Sequence, residues 1–475
     1  MPATTQEGSQ GSIRAIVIAG MALFAMFFGA GNLIFPTMMG VEAGNNLPAA
    51  ITGFVLTGVC LPALGIVASA TSTSGVLGLT ERMGKKFGMA FTVVIFLSIG
   101  VLYAIPRVAT VSYETSLRPF LASSGLDMSV GSAGNGVALA IFTLVFFGVS
   151  AWLALNPGKL VDRIGTWLTP ALLALLVLLI TVGLFTMNAI GGDAVEKYAS
   201  APLTVGLVDG YFTMDAMASI VFGGIVIDSL RRAGFTGRAQ IFTSTVSSGI
   251  VAGVLLGGVY IGLANLGARV QREGIETGAD ALSKASRHLF GATGQIVFGA
   301  IVFLACLTTA VGLIGASTKF FREFFPKINQ PTMVMIHVFI SGAIANLGLA
   351  IILQIIGPIT LFIYPITIAV ITVGLVDIVI PGQLSWAYKI AGAVATVFGA
   401  WSSLRAMGLL AEGGANDLWS LLPMHSVDMA WVVPSALGLA VGLVIDGAQG
   451  RFTRDVDETV KSVETQEETP VDKVK

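Results

Sequence analysis

The chain has 475 residues, 55% of them apolar and only 11% charged, with a formal net charge of −1. Soluble domains carry about 25% charged residues, so a water-facing surface cannot be assembled for this length; soluble enzyme, nucleic-acid binder and disordered chain give way to an all-α polytopic membrane protein. The near-zero net charge supplies no field for nucleic acid, and Cys60 and Cys306 lie in separate apolar runs with neither metal-ligand spacing nor a disulfide framework.

A spanning helix takes about 20 apolar residues. The charge-free stretches predict about 12 transmembrane helices, near 14–40, 48–71, 88–116, 135–156, 166–190, 203–229, 239–265, 292–319, 331–348, 351–377, 385–409 and 429–447. They follow an N-terminal segment 1–13, form a transmembrane domain 14–447, and precede a polar tail 448–475 that reads as disordered. An even count puts both termini on one side. Of the 26 Lys and Arg, 18 then share the side of the termini, seven take the other, and Arg107 lies within a span. The positive-inside rule makes both termini cytoplasmic. The first apolar stretch is too long for a secretory signal, so none is expected.

The first span contains Phe24-Ala-Met-Phe-Phe-Gly-Ala-Gly-Asn-Leu-Ile-Phe-Pro36. Glycine weakens a helix by about 1 kcal/mol relative to alanine, and proline removes a donor. Either the helix unwinds near Gly29, Gly31 and Asn32, offering amides to an anion and carbonyls to a cation, or the glycines admit a closely packed neighbour. The third span carries Arg107 and ends at Glu114, a position that suits the membrane interface. The sixth reads Gly210-Tyr-Phe-Thr-Met-Asp-Ala-Met-Ala-Ser-Ile-Val-Phe-Gly-Gly224. A charge at mid-bilayer costs about 2.5–3.5 kcal/mol on insertion scales, which makes Asp215 a functional candidate and Arg107 its candidate partner. Asp280 to Lys284, in the loop 266–290, has helical spacing. In the eighth span Ala305, Thr308 and Thr309 offer a carbonyl and two hydroxyls to a small hard cation such as Na⁺, although such threonines, taken alone, more often bond back to the preceding turn. Asn346-Leu347-Gly348 predicts a turn, and Gly357-Pro358 with Tyr364-Pro365 predicts a kink in the tenth span. Spans 1–5 (about 14–190) and 6–10 (about 203–377) enter from opposite sides, followed by two extra helices over 385–447. Interruptions at corresponding positions of two such halves mark an alternating-access site, which favours the unwound reading.

Three stretches, Phe27-Phe-Gly-Ala-Gly-Asn-Leu-Ile-Phe-Pro36, Ala104-Ile-Pro-Arg-Val-Ala-Thr-Val-Ser-Tyr-Glu114 and Gly210-Tyr-Phe-Thr-Met-Asp-Ala-Met-Ala-Ser219, resemble the bacterial branched-chain amino acid:cation symporter family, over roughly 12–447. The resemblance implies a leucine-transporter-like fold: a 5+5 inverted repeat with helices 1 and 6 broken. It further implies import of leucine, isoleucine and valine across the plasma membrane (the cell inner membrane) by symport with Na⁺. No enzyme activity and no cofactor besides the coupling ion are expected, H⁺ being the alternative ion. By the same likeness the amides of Ala30 and Gly31, beyond Gly29, hold the substrate carboxylate. The carbonyls of Phe27 and Phe212, with Thr213 and Asp215, face the ammonium. One cation shares Asn32 and Thr213 with the substrate; a second takes Ala305, Thr308, Thr309 and the carbonyls of Ala25 and Phe28. Phe28, Met217 and Phe222 suit a leucine-like side chain, and such a pocket separates ligands differing by one methylene by only about 1–3 kcal/mol. Asp215 stands where some relatives carry a neutral residue, and Arg107 has no counterpart in the better-known sodium symporters. These two, with Glu114, are candidate coupling or gating residues. The expected partners are the small-molecule substrate and the lipid bilayer, without nucleic acid or an obligate protein partner. Rival readings are a proton-coupled carrier of another small neutral amino acid and a channel. An embedded enzyme lacks a nucleophile–base set at one depth, and no phosphate-binding loop supports direct ATP drive.

Overall fold

Inside lipid a backbone must satisfy its own polar groups, which leaves helices and closed barrels; here the apolar stretches fold as helices, and no strand occurs among the described residues. The structure, a computed structural model, describes residues 4–71, 75–118, 121, 136–156, 159–190, 192–380, 384–410, 419, 421–427 and 429–452. Most of the tail predicted over 448–475 therefore lies outside the described residues.

The first half comprises α1 (Thr4–Phe27), α2 (Ala30–Ala43), α3 (Leu47–Val55), α4 (Leu61–Ala70), α5 (Lys85–Leu97), α6 (Ala104–Ser112), α7 (Val137–Ala154) and α8 (Thr169–Thr186). The second half comprises α9 (Pro202–Tyr211), α10 (Asp215–Arg232), α11 (Arg238–Gly267), α12 (Gly278–Phe290), α13 (Ala292–Phe324), α14 (Gln330–Ala345) and α15 (Leu349–Val379), followed by α16 (Trp386–Ala406) and α17 (Val432–Ala448). Among the described residues seven helical runs are long and apolar enough to cross a membrane, and the pair α9–α10, bent by 44°, makes an eighth. One of the seven, Ala30–Ala70, has 41 residues. At 1.5 Å per residue that is about 60 Å, twice a hydrocarbon core of about 30 Å, so the run must fold back. It does so at Gly44, whose φ of +49° leads into the tight turn Gly44–Asn46.

Both expected interruptions are present. The first span stops at Phe27 and restarts at Ala30, with Gly29 extended (φ −95°, ψ −171°). The sixth stops at Tyr211 and restarts at Asp215, through Met214 in the left-handed region (φ +63°). The irregularity in the sixth thus sits at residues 212–214. Gly223 and Gly224 lie within α10, and a Cβ on Gly223 would fall 1.8 Å from Ser69 Oγ. Here α10 passes close against α4, and close approach is the reason for that glycine. The helix expected from Asp280 forms as α12, closed at its N-terminus by Thr277 and Asp280. The turn at 346–348 separates α14 from α15, and α15 runs through both Pro358 and Pro365 as one helix.

A third interruption was not anticipated. Between α5 and α6 the turn Ser98–Leu102 is widened, Gly100 is non-helical (φ −92°, ψ −125°) and Tyr103 is bent away (φ −131°, ψ −67°). The halves α1 and α10 pack on each other and on α11 and α13. All three interruptions therefore face the same interior.

Candidate functional site

A cavity of about 190 Å³ lies where the three interruptions meet. Drug-sized sites run to about 300–1,000 Å³, so this one suits a smaller ligand. Its wall includes Phe27, Gly29, Ala30, Gly31 and Asn32 from the first span, and Thr213, Asp215, Met217 and Phe222 from the sixth. The third span adds Tyr103, Arg107 and Val108, and α13 adds Thr309. Phe28 and Phe212, also expected at the site, are not on that wall. Phe28 is fully buried and stacks on Phe24 (ring centroids 5.2 Å apart), while Phe212 packs on Tyr211 at 5.4 Å.

The glycines of the first span divide into two kinds. A Cβ on Gly40 would fall 1.9 Å from Ala264 O, so there α2 and α11 touch backbone to backbone. On Gly31 the same atom would meet only the Phe35 ring, at 3.7 Å, and on Gly29 the Thr309 hydroxyl, at 3.4 Å. The glycines at the break thus open the backbone toward the cavity, whereas Gly40 serves helix packing. In the break Gly29 N–H donates to Phe27 O (2.8 Å) and to Asn32 Oδ1 (3.3 Å). Asn32 N–H donates to Gly29 O (3.2 Å), which leaves the Phe28 carbonyl without a backbone donor among the described residues. The amides of Ala30 and Gly31, the first two of α2, have no intrahelical acceptor by geometry and lie at the positive end of its dipole.

Asp215 begins α10, where the helix N-terminus favours its charge. Asn32 Nδ2 donates to Asp215 Oδ2 and to Tyr260 Oη, both at 2.5 Å, and Tyr260 Oη approaches the same carboxylate oxygen at 3.4 Å. Arg107 was the anticipated partner, yet no ion pair joins the two among the described residues; Arg107 Nη1 instead donates to Tyr103 Oη at 3.3 Å. The reason is local: the bend before α6 brings the Tyr103 ring under the guanidinium, 5.4 Å away. Glu114 pairs with Arg118 one turn along (2.5 Å) and takes no part in the cavity wall. The Thr213 hydroxyl donates to Gly210 O at 2.8 Å, which ties off the end of α9.

Beside the cavity, four oxygens of the expected second cation group come together. Thr308 Oγ1 donates to Ala25 O (2.8 Å) and Ala305 O (3.0 Å), and Thr309 Oγ1 donates to Ala305 O (3.1 Å). Back-bonding and a shared oxygen cluster therefore coexist. Thr308 reaches across to the last turn before the first break, which an ordinary back-bonding threonine would not do.

Tyr260 and Tyr103 were missed. Tyr260 lies within the charge-free stretch 239–268, but only five residues before the end of the predicted span, where a tyrosine suits the membrane interface, so no local signal set it apart. Tyr103 carried none either, because its role follows from the bend.

Fold and site together define a multi-pass membrane transporter: interrupted helices around a small central cavity. Two solved structures share the fold. One is a crystal structure of MhsT in complex with L-phenylalanine (16% identity, 89% of this chain and 98% of that one, TM-score 0.51). The other is Mhp1, a nucleobase-cation-symport-1 family transporter with bromovinylhydantoin bound (13% identity, 93% and 95%, TM-score 0.55). The chain belongs to the branched-chain amino acid transport protein family, whose model matches residues 12–449. Similar curated proteins are the branched-chain amino acid permeases BrnQ of Corynebacterium glutamicum (38% identity, 92% of this chain, 96% of the relative) and BraB of Bacillus subtilis (38%, 91% and 96%). The branched-chain amino acid transport system 2 carrier protein of Pseudomonas aeruginosa is 34% identical over 92% of this chain and 97% of its own.

Proposed function

We propose that the protein imports leucine, isoleucine and valine by symport with Na⁺, through alternating access, with twelve spans in the plasma membrane and both termini cytoplasmic. The observation that carries this reading is the meeting of interrupted helices at one small cavity, with the Ala25, Ala305, Thr308 and Thr309 oxygens beside it. A zwitterion leaving water needs both charges met by fixed groups. The first-turn amides of Ala30 and Gly31 receive the carboxylate. The Asp215 carboxylate, with the carbonyls of Phe27 and Phe212, receives the ammonium. Met217 and Phe222 hold the branched side chain, Phe27 lying edge-on to Phe222 at 5.4 Å. Such an apolar wall distinguishes one methylene by about 1–3 kcal/mol, so the three substrates share the site.

Na⁺ takes the carbonyls of Ala25, Ala305 and Phe28 with the hydroxyls of Thr308 and Thr309, and a further cation takes Asn32 Oδ1 and Thr213 beside the substrate. Because the first group bridges α1 and α13, its ion favours the conformation in which those helices stand this close, and only such differential binding shifts an equilibrium.

The test is uptake of labelled leucine into proteoliposomes under an inward Na⁺ gradient, compared with a pH gradient alone. Uptake driven by Na⁺ and indifferent to the pH gradient supports the reading. Uptake driven by the pH gradient without Na⁺ replaces it with proton coupling, and current without coupling replaces it with a channel. Thr308→Ala raises the Na⁺ concentration for half-maximal uptake by about tenfold or more, the worth of one hydrogen-bonding ligand to a charge. An unchanged Na⁺ dependence removes the ion from this group.

A further inference from the structure

The central cavity presents a carboxyl group and a guanidinium that do not pair with each other. Asp215 is 5% exposed and is held through Oδ2 by Asn32 and Tyr260. Arg107 is half-buried, lines the same cavity, and finds among the described residues a single hydrogen-bond partner, the neutral hydroxyl of Tyr103. A guanidinium carries five N–H donors in a planar fork, so most of its capacity is directed at nothing in the protein. Charged side chains at membrane depth otherwise pair with one another or with backbone carbonyls. The break between α5 and α6 is what turns Tyr103 and Arg107 toward the cavity, and a continuous third span would not need it.

The anion end of the site is short of donors without Arg107. Gly29 N–H at the start of α2 is already spent on Phe27 O and Asn32 Oδ1. The Asn32 side-chain amide is spent on Asp215 and Tyr260. A carboxylate accepts up to about four hydrogen bonds, and first-turn amides alone do not fill them.

We propose that Arg107 recognises the substrate's carboxylate, so that the cavity reads a zwitterion with one fixed charge at each end: Asp215 for the ammonium, and the Arg107 fork together with the α2 N-terminus for the carboxylate. This rests on the cavity taking an amino acid. It adds a specificity that the apolar wall cannot supply: ligands of the same side chain that lack the carboxylate leave the guanidinium desolvated and unpaired, and are rejected. A planar fork matches a carboxylate in two parallel bonds, where lysine offers a point charge.

The experiment measures binding of leucine and leucinamide to the purified full-length protein by calorimetry. Leucinamide keeps the ammonium and the side chain and replaces the carboxylate with a neutral amide. The wild type prefers leucine by about 10- to 100-fold, the range of hydrogen bonds to a charged group. Arg107→Gln weakens leucine by that factor and leaves leucinamide unchanged, so the two ligands converge; Arg107→Lys keeps part of the preference. Equal weakening of both ligands, or an intact preference in Arg107→Gln, overturns the proposal and leaves Arg107 a structural or gating residue. Should Arg107→Gln not fold, Arg107→Lys and the wild-type preference decide: a wild type indifferent to the carboxylate overturns it equally. Failure of the wild type to bind leucine, isoleucine or valine is a different result, and refutes the amino-acid reading itself.

Discussion

Asn32 is a fastener among three elements. Its Oδ1 accepts from the Gly29 amide in the first break, and its Nδ2 reaches Asp215 at the start of α10 and Tyr260 in α11. The side chain is 3% exposed, and Tyr260 is fully buried between the rings of Phe28 (6.2 Å) and Phe54 (5.1 Å). Removing a neutral partner from such a network differs from introducing a like charge. Tyr260→Phe keeps the ring packing and forfeits neutral hydrogen bonds, each worth about 0.5–1.5 kcal/mol; leucine uptake per folded molecule should fall by about two- to tenfold. Asn32→Asp sets a carboxylate against Asp215, and two carboxylates at that spacing cannot both ionise; uptake should fall below detection while the protein still elutes as one monodisperse species. Equal activity in the two variants would mean that Asn32 and Tyr260 fill space and do not hold Asp215.

Among the helices, the interruptions of the first and sixth spans were legible because the residues that cause them are local: Gly29, Gly31 and Asn32 in one, an intramembrane Asp215 in the other. The third interruption was not, because its cause is tertiary. A Cβ on Gly100 would fall 2.6 Å from Ser317 Oγ, and Ser317 is itself held by His337 at 3.0 Å. The pressure comes from α13 and α14, which are remote in sequence. The expected Asp215–Arg107 pair failed for the same reason, since charge alone does not reveal that Tyr103 and Asn32 intervene. Of the expected spans the last two are the faintest, and one residue joins the helices in their place, α16 and α17. Asp446 is fully buried near the end of α17, and its carboxylate accepts the backbone amides of Ser385 (3.0 Å), Trp386 (3.0 Å) and Ala387 (2.9 Å) at the start of α16. It acts as an N-cap supplied by another helix, which no local pattern announces. Asp446→Ala leaves three amides unanswered and costs about 2–3 kcal/mol. The unfolding temperature in detergent should drop by a few degrees while the Na⁺ concentration for half-maximal uptake stays unchanged. A shift in that Na⁺ dependence would couple the last two helices to the transport site.

Across the whole molecule, two of the helices at the site, α10 and α13, lead away from it together. Along α10, Met217 and Phe222 line the central cavity and Gly224 and Asp228 line a second one of about 380 Å³; along α13, Thr309 lines the first and Lys319 and Phe320 the second. The second cavity opens on the side rich in Lys and Arg, so in the proposed topology it is the inner vestibule. Lys319 and Asp228 form an ion pair across it, and Phe320 stacks on Phe96 with centroids 4.0 Å apart. In the proposed mechanism, opening toward the cytoplasm separates α10 from α13 and so breaks that pair. The Lys319 side chain is 55% exposed and that of Asp228 is 23% exposed. An ion pair so exposed is worth about 0–1 kcal/mol, which bounds its grip on the equilibrium at about fivefold. Asp228→Asn should therefore raise the rate at which a cysteine at Gly224→Cys reacts with a maleimide added from the cytoplasmic side, by up to about fivefold, in a background with Cys60 replaced. Gly224 has nothing within 4 Å of the Cβ position, so the reporter itself adds no clash. Raising the salt from about 0.01 M to 1 M shortens the screening length from about 30 Å to 3 Å; wild-type labelling should climb toward that of Asp228→Asn, which itself responds little. Labelling that ignores both the substitution and the salt would assign closure of the vestibule to the Phe96–Phe320 stack alone.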